Sequence, residues 1–206
     1  MIKDAQNKYP INELSRTRWS PRAFSTQPVE IEKLQSLMEA ARWSASGGNE
    51  QPWRFMLGIH PDETWSKIFE TLEDGNKTWA KQVPVLLHTI GKKTRGKRNT
   101  GNFYYAYDTG QSVAHLSLEA MYRGLYVHQM AGFYPEKAIE LFEIPDGYQP
   151  LTAVAIGYLG DPGLLTGRNY DRELEPRVRK DFSEFVFTGK FGSPLDIFKP
   201  SFNTEP

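Results

Sequence analysis

The chain contains no cysteine. Thiol nucleophiles, disulfides and thiolate metal centres are therefore excluded. It carries no excess of charge: 25 Lys and Arg stand against 25 Asp and Glu. That balance argues against a general binder of nucleic acid or of an anionic membrane surface. Histidine is scarce. His60, His88, His115 and His128 are scattered without HExxH-like spacing, so no zinc site is expected. No apolar run approaches the ~20 residues of a membrane helix, and the N-terminus lacks an apolar signal-peptide core. A cytoplasmic protein with neither membrane nor nucleic-acid partner is the expectation. Its 206 residues suit a single domain with a sizeable core, and the 13% aromatic content suits a large flat ligand, a broad interface or a well-filled interior.

Against these absences one stretch stands out, Ser44 to Phe55, SASGGNEQPWRF. Ser44, Ala45, Ser46, Gly47 and Gly48 let backbone approach a flat ligand closely, and glycine permits turns with positive φ. Asn49 and Gln51 each offer amide donors and an acceptor, which suits the mixed edge of a nitrogen heterocycle. Pro52 ends the loop, and Trp53 to Ile59 reads as a strand rich in aromatic and branched residues. The same residues also fit an ordinary helix-to-strand turn.

Upstream, Arg18, Ser20 and Arg22 alternate around Trp19 and Pro21. In extended backbone they project from one side, where two guanidinium forks and a hydroxyl make a phosphate site. A solvated basic surface is the plain alternative. Ser25 to Pro28 forms a helix-start cluster. Apolar residues from Ile31 to Ala41 predict a helix over about 30–43, and Trp65, Ile68, Phe69 and Leu72 predict another over 62–73. Gly75 to Ala80 reads as a turn with a helical cap before a buried strand, Val83 to Ile90. Lys92 to Arg98, KKTRGKR, lacks interleaved aromatics and reads as a solvated loop; attraction of an anionic nicotinamide phosphate is a further option. Asn102 to Arg123 is the longest predicted helix, with Tyr107, Gly110, Ala114, Ser117 and Met121 on one stripe. Gly124 stops it. Tyr126 to Phe133 reads as a strand ending in a turn, followed by a short helix after Pro135 and a strand from Leu151 to Tyr158. Phe182 to Phe187 reads as an edge strand. Residues 188–206 lack a helical period and cannot form their own core, so they are disordered or wrap a partner subunit.

The polar loop carrying N-x-Q-P-W-R-F resembles the fingerprint of the nitroreductase family of FMN-dependent flavoproteins. R-x-S-x-R, G-N-x-x-W-A, D-T-G-Q-x-V-A-H-L-x-L (Asp108 to Leu118) and G-L-x-x-H-Q-M-x-G-F are similar to further family motifs, and together they span about residues 16–187. The resemblance implies an α+β fold, a mostly antiparallel central sheet flanked by helices, in an intertwined homodimer with flavin at the subunit interface. It implies that Arg18, Trp19, Ser20 and Arg22 meet the FMN phosphate and ribityl chain, and that Ser46, Asn49 and Gln51 line the flavin. Asn76 would lie near the pyrimidine edge. Gln129, Met130, Ala131 and Gly132 would pass over the central ring near N5, and Arg177 with Arg179 would close on the phosphate. Some family members carry an acid where this chain has Ala131, which leaves the substrate class open. The implied chemistry is ping-pong: NADH or NADPH reduces the flavin, and a nitroaromatic, quinone or related small-molecule acceptor reoxidises it, with no side chain required as general acid. Enone reduction, reductive dehalogenation and non-catalytic FMN binding are the alternatives on this scaffold.

Overall fold

The structure is a computed structural model that describes residues 3–198. The chain divides into two compact units, one ending at Glu175 and one beginning at Pro176.

In chain order the first unit contains α1 (Glu13–Thr17), α2 (Ile31–Arg42), β1 (Trp53–Ile59), α3 (Glu63–Thr71), α4 (Asp74–Ala80), β2 (Val85–Lys92), β3 (Thr94–Arg95) and β4 (Thr100–Gly101). It continues with α5 (Tyr105–Tyr122), β5 (Tyr126–Met130), α6 (Pro135–Leu141), β6 (Tyr148–Gly157) and α7 (Arg168–Leu174). The main sheet has the order β1-β2-β6-β5, and every pairing is antiparallel.

Side-chain alternation explains why the sheet is covered on both faces. Val85 and Leu87 of β2, Val127 of β5, and Val154 and Ile156 of β6 point to one side. There they pack with Leu34, Leu37 and Ala41 of α2 and with Leu116 and Ala120 of α5. Leu86, Met130, Ala153 and Ala155 point the other way, onto Trp65 and Ile68 of α3, Trp79 of α4 and Ala138 of α6. A strand buried on both faces needs apolar residues at successive positions, which is why β2 reads as a run rather than an alternation. Gly58 is required where β1 meets α3: a Cβ there would sit 2.2 Å from the Trp65 backbone nitrogen.

Helix ends follow local chemistry. The Asp62 carboxylate accepts from the Trp65 N–H at 2.6 Å and caps α3. Gly124, at φ 75°, lets the chain leave α5 in the left-handed region, with Leu125 N–H donating to the Ala120 carbonyl at 2.8 Å. Two expectations are corrected. Gly75–Ala80 is not a capped turn but the body of α4, because Asp74 at its first turn and buried Trp79 and Ala80 at its end give it both a favourable dipole and a packing face. The cluster at Ser25 forms its own turn, Ser25 Oγ accepting from Gln27 N–H at 3.1 Å, and α2 starts beyond it without a side-chain cap.

The second unit is built of short turns. Asp181 and Glu184 form a capping box around a 3-10 turn at Phe182–Glu184. Phe187 bridges to Pro194, and the Phe182 ring stacks on Phe198 at 4.6 Å. The expected edge strand over 182–187 is therefore replaced by a capped turn that lets aromatic side chains meet one another. Residues 199–206 of the expected wrapping tail lie outside the described residues.

Candidate functional site

The register of the sheet brings two of the predicted segments to one end of it. β1 begins at Trp53, opposite Gly91, and the polar loop before it emerges there. β5 runs toward the same end and stops at Met130, opposite Ala153, while β6 extends on to Tyr148. The turn Ala131–Gly132 leaves from the notch where β5 stops short. Asn76 is bound to that turn: its Nδ2 donates to the Gly132 carbonyl at 2.8 Å, and Glu73 N–H donates to the same oxygen at 3.1 Å. A Cβ on Gly132 would lie 2.8 Å from Asn76 Nδ2 and 2.9 Å from Glu73 Oε2. The acidic group beside this turn is thus Glu73, whereas Ala131 itself is exposed.

The Arg18–Arg22 segment lies against β5. Its backbone is extended at Arg18, at φ −62° and ψ 126°, and Arg18 Nη1 stands 3.4 Å from Ser20 Oγ. Trp19 is buried and meets Tyr126 of β5 edge-on at 6.2 Å. His128 Nδ1 lies 2.7 Å from the Pro21 carbonyl. A carbonyl only accepts, so Nδ1 carries the proton. Burial pushes the His128 pKa down to about 4, which leaves the ring neutral at ordinary pH. The strongest tie comes from a residue 151 positions away. Glu173 of α7 is fully buried, and its two carboxylate oxygens accept from the N–H groups of Arg22 at 2.8 Å and Ala23 at 3.1 Å.

The Arg22 guanidinium is half-buried and has no hydrogen bond or ion pair among the described residues. Burial lowers its pKa and nearby Arg172 lowers it further, against the opposing pull of Glu173 and Glu175. An anion placed there would offset both unfavourable terms. Cationic forks, a hydroxyl and an under-compensated half-buried charge suit a phosphate monoester, so this part of the chain fits the FMN expected from the sequence.

The polar loop is held differently. Gly48, Asn49 and Gln51 have φ of 60°, 56° and 47°. The two non-glycine residues are in a region that costs ~1 kcal/mol or more per residue, a mark of sites where geometry serves a ligand. Gln51 Nε2 donates to Asn49 Oδ1 at 3.1 Å, and Ser46 Oγ accepts from Gln51 N–H at 3.0 Å. Both amide side chains are exposed, leaving most of their donors and acceptors to a ligand. Gly47 N–H donates to Asp108 Oδ2 of α5 at 3.2 Å, which ties the loop to the longest helix.

Among the other predicted residues, Gln129 is exposed and Met130 is core. Arg177 is half-buried and Arg179 exposed, its Nη1 bonded to the Val178 carbonyl at 2.8 Å; both belong to the second unit. Sequence reading missed Glu173 and the anchoring role of Asp108. A buried carboxylate that serves distant backbone N–H groups leaves no local pattern, while Asp108 was visible only as part of a helical motif.

The chain is similar to known proteins. The family model described as "Nitroreductase family" matches residues 15–74, the part holding both the Arg18–Arg22 segment and the polar loop. The chain is 35% identical to an uncharacterized 15.4 kDa protein of Mycolicibacterium smegmatis, over 65% of this chain and 88% of that protein. It is 29% identical to a Stenotrophomonas maltophilia protein provisionally named an NADH dehydrogenase/NAD(P)H nitroreductase, covering 77% and 89% of the two chains. The crystal structure of an oxidoreductase containing FMN superposes with a TM-score of 0.86 at 34% identity, covering 91% of this chain and 96% of that one. A nitroreductase family protein of Clostridium difficile gives 0.66 at 26% identity, over 86% and 97%. The family model, the sequence relative and the superposed structure agree, and the chain belongs to the nitroreductase family.

Proposed function

We propose that this chain is an FMN-dependent oxidoreductase that takes reducing equivalents from NADH or NADPH and delivers them to a small organic acceptor, a nitroaromatic, quinone or related compound. The observation that carries this reading is the half-buried, unpaired Arg22 guanidinium, on a segment that also carries Arg18 and Ser20 and whose backbone N–H at Arg22 is held by Glu173. The similarity to an FMN-containing oxidoreductase supports it. Bound FMN would supply the two-electron carrier, a chemistry no side chain of this chain offers.

The protein's share is binding, orientation and electrostatics. Arg18, Ser20 and Arg22 hold the phosphate end in this reading, and Arg177 with Arg179 are proposed to serve the same group. Ser46, Asn49 and Gln51 present hydroxyl and amide groups to the polar edge of the ring. Asn76 fixes the Gly132 carbonyl and so sets the path of the 129–132 backbone, which approaches closely because Gly132 has no Cβ. No titrating side chain needs to move a proton: His128 is neutral and occupied by Pro21.

The functional unit in this reading is a homodimer. Tyr107, Gly110 and Ala114 lie exposed along α5, and Phe103 just before it is 91% exposed. Beside them runs a cleft of about 410 Å³ lined by Leu14, Ala40, His115, Leu118, Glu119 and Tyr122. A long helix with small and aromatic residues left open is suited to packing against a second copy. The second unit, with Val178, Phe185, Phe191 and Ile197 exposed, is proposed to cover the partner.

The test is direct. The purified protein should carry extractable FMN, bleach anaerobically with a nicotinamide and recover its colour on addition of a nitroaromatic or quinone. Extracted FAD, or no flavin after reconstitution with excess FMN, contradicts the cofactor. A loaded protein that neither nicotinamide reduces contradicts the activity.

A further inference from the structure

The expected solvated loop at 92–98 has structure. Thr94–Arg95 pairs with Thr100–Gly101 in a small hairpin, whose base is held by Lys93 N–H on the Gly147 carbonyl and Asn102 N–H on the Lys93 carbonyl. Its tip is tied to the polar loop: Glu50 Oε2 accepts from Gly96 N–H at 3.0 Å. Between hairpin and loop lies a cleft of about 460 Å³, lined by Gly47, Gly48, Glu50, Arg95, Gly96, Lys97, Arg98 and Thr100.

Many of the surface cations are neutralised by a nearby carboxylate. Arg16, Arg42 and Arg123 are each paired with a glutamate three or four residues away, as are Lys33 and Lys67. Arg95, Lys97 and Arg98 make no ion pair or side-chain hydrogen bond among the described residues. Three such cations stand within four residues of one another, beside the proposed flavin loop. Glu50, the acidic residue of the lining, spends one oxygen on Gly96 and leaves the balance positive. A concave surface with an excess of one sign concentrates counter-charge, and the cleft's volume lies within the range of small-ligand sites. Three cations without partners suit a phosphate, with its several acceptor oxygens, better than a single carboxylate.

We propose that this cleft is an anion subsite for the electron donor, in which Arg95, Lys97 and Arg98 take the 2′-phosphate of NADPH and make the protein prefer NADPH to NADH. The proposal rests on the flavin reading above. The two dinucleotides share every other group, so a preference set here falls on the 2′-phosphate alone. Glu50 acts as a strut that keeps the hairpin tip against the polar loop.

The experiment compares the FMN-loaded wild type with the Arg95→Ala, Lys97→Ala, Arg98→Ala triple variant. The three residues are exposed and outside the core, so flavin content and thermal midpoint should be unchanged. In anaerobic stopped flow, the second-order rate of flavin reduction by NADPH should fall about tenfold or more in the variant, while that by NADH changes less than about twofold. In calorimetry, 2′,5′-ADP should bind the wild type and lose about tenfold or more of its affinity in the variant; 5′-AMP should not discriminate between them. Competition by inorganic phosphate in the same titration separates a general anion site from one needing the nucleoside. Equal loss with both donors, no loss with either, or unchanged binding of 2′,5′-ADP overturns the subsite. If neither nicotinamide reduces the flavin, the functional reading fails, and the 2′,5′-ADP titration still decides the subsite.

Discussion

The Arg18–Arg22 segment and the Ser46–Gln51 loop are both polar runs outside the α-helices, yet they are held in opposite ways. The first is clamped from outside: Glu173 holds its N–H groups, His128 its carbonyl, and Tyr126 packs on its tryptophan. The second is held mainly by its own side chains, through positive-φ backbone and exposed amides, with Asp108 and Gly96 as outside ties. A phosphate has high charge and little shape, so its site gains from rigid, desolvated cations. A ring edge and a changing substrate need exposed groups that reach outward. On the proposed reading the clamp serves affinity and the loop serves orientation.

Breaking the clamp should have the largest effect. Glu173→Ala leaves two buried N–H groups without acceptors, at ~1–3 kcal/mol each. The apoprotein should lose roughly 2–5 kcal/mol in urea unfolding, and FMN affinity should fall in parallel. Glu173→Gln keeps one acceptor and should fall between. If both variants keep wild-type stability, the buried carboxylate is not what holds the segment.

Acid should act on the same clamp. His128 and His88 are both pushed down to about 4, chiefly by burial, against about 6.5 in an unfolded chain. Between these values the unfolded state binds more protons, so stability rises with pH there and is complete above about 6.5. The linkage bounds each histidine at roughly 3 kcal/mol, lost as pH falls from about 6.5 to about 4. His128→Gln should flatten this slope, and an unchanged slope would mean that His128 already titrates normally.

The loop should show the reverse signature. Asn49→Gly relieves a left-handed φ of 56° and should stabilise the apoprotein by up to about 1 kcal/mol while weakening flavin binding. Gln51→Ala, at an exposed position, should change stability by no more than ~0.5 kcal/mol and alter the flavin's affinity or reduction rate. Loop variants that lose stability without any change in flavin behaviour would erase the contrast. The Arg177→Ala, Arg179→Ala pair should also be mild in stability terms, no more than ~1 kcal/mol for charges at the surface, but at least about tenfold in FMN affinity if they share the phosphate.

The contrast also explains what could be read in advance. The loop was legible because its chemistry is contiguous: small residues, two amides, a proline and a strand follow one another. β1 was placed at its observed bounds, since Trp53 to Ile59 lies between a proline and a turn. The Arg18–Arg22 side chains were legible as an alternation, but not what holds them. Glu173 needs α7 packed against a segment 151 residues earlier, and no local period encodes that. The hairpin at 94–101 was hidden for another reason. Strands of two residues carry too little alternation to register, and a run of basic residues looks the same solvated or folded against a neighbour.

The central claim is that the clamped segment is a phosphate site. The most direct measurement is titration of the apoprotein with FMN and with riboflavin, which differ only in the phosphate, for wild type and Arg22→Ala. The account predicts that wild type prefers FMN by about tenfold or more, and that Arg22→Ala removes most of this preference while leaving riboflavin affinity within about twofold. Equal affinity of the wild type for both ligands, or an equal loss of both in the variant, would contradict it.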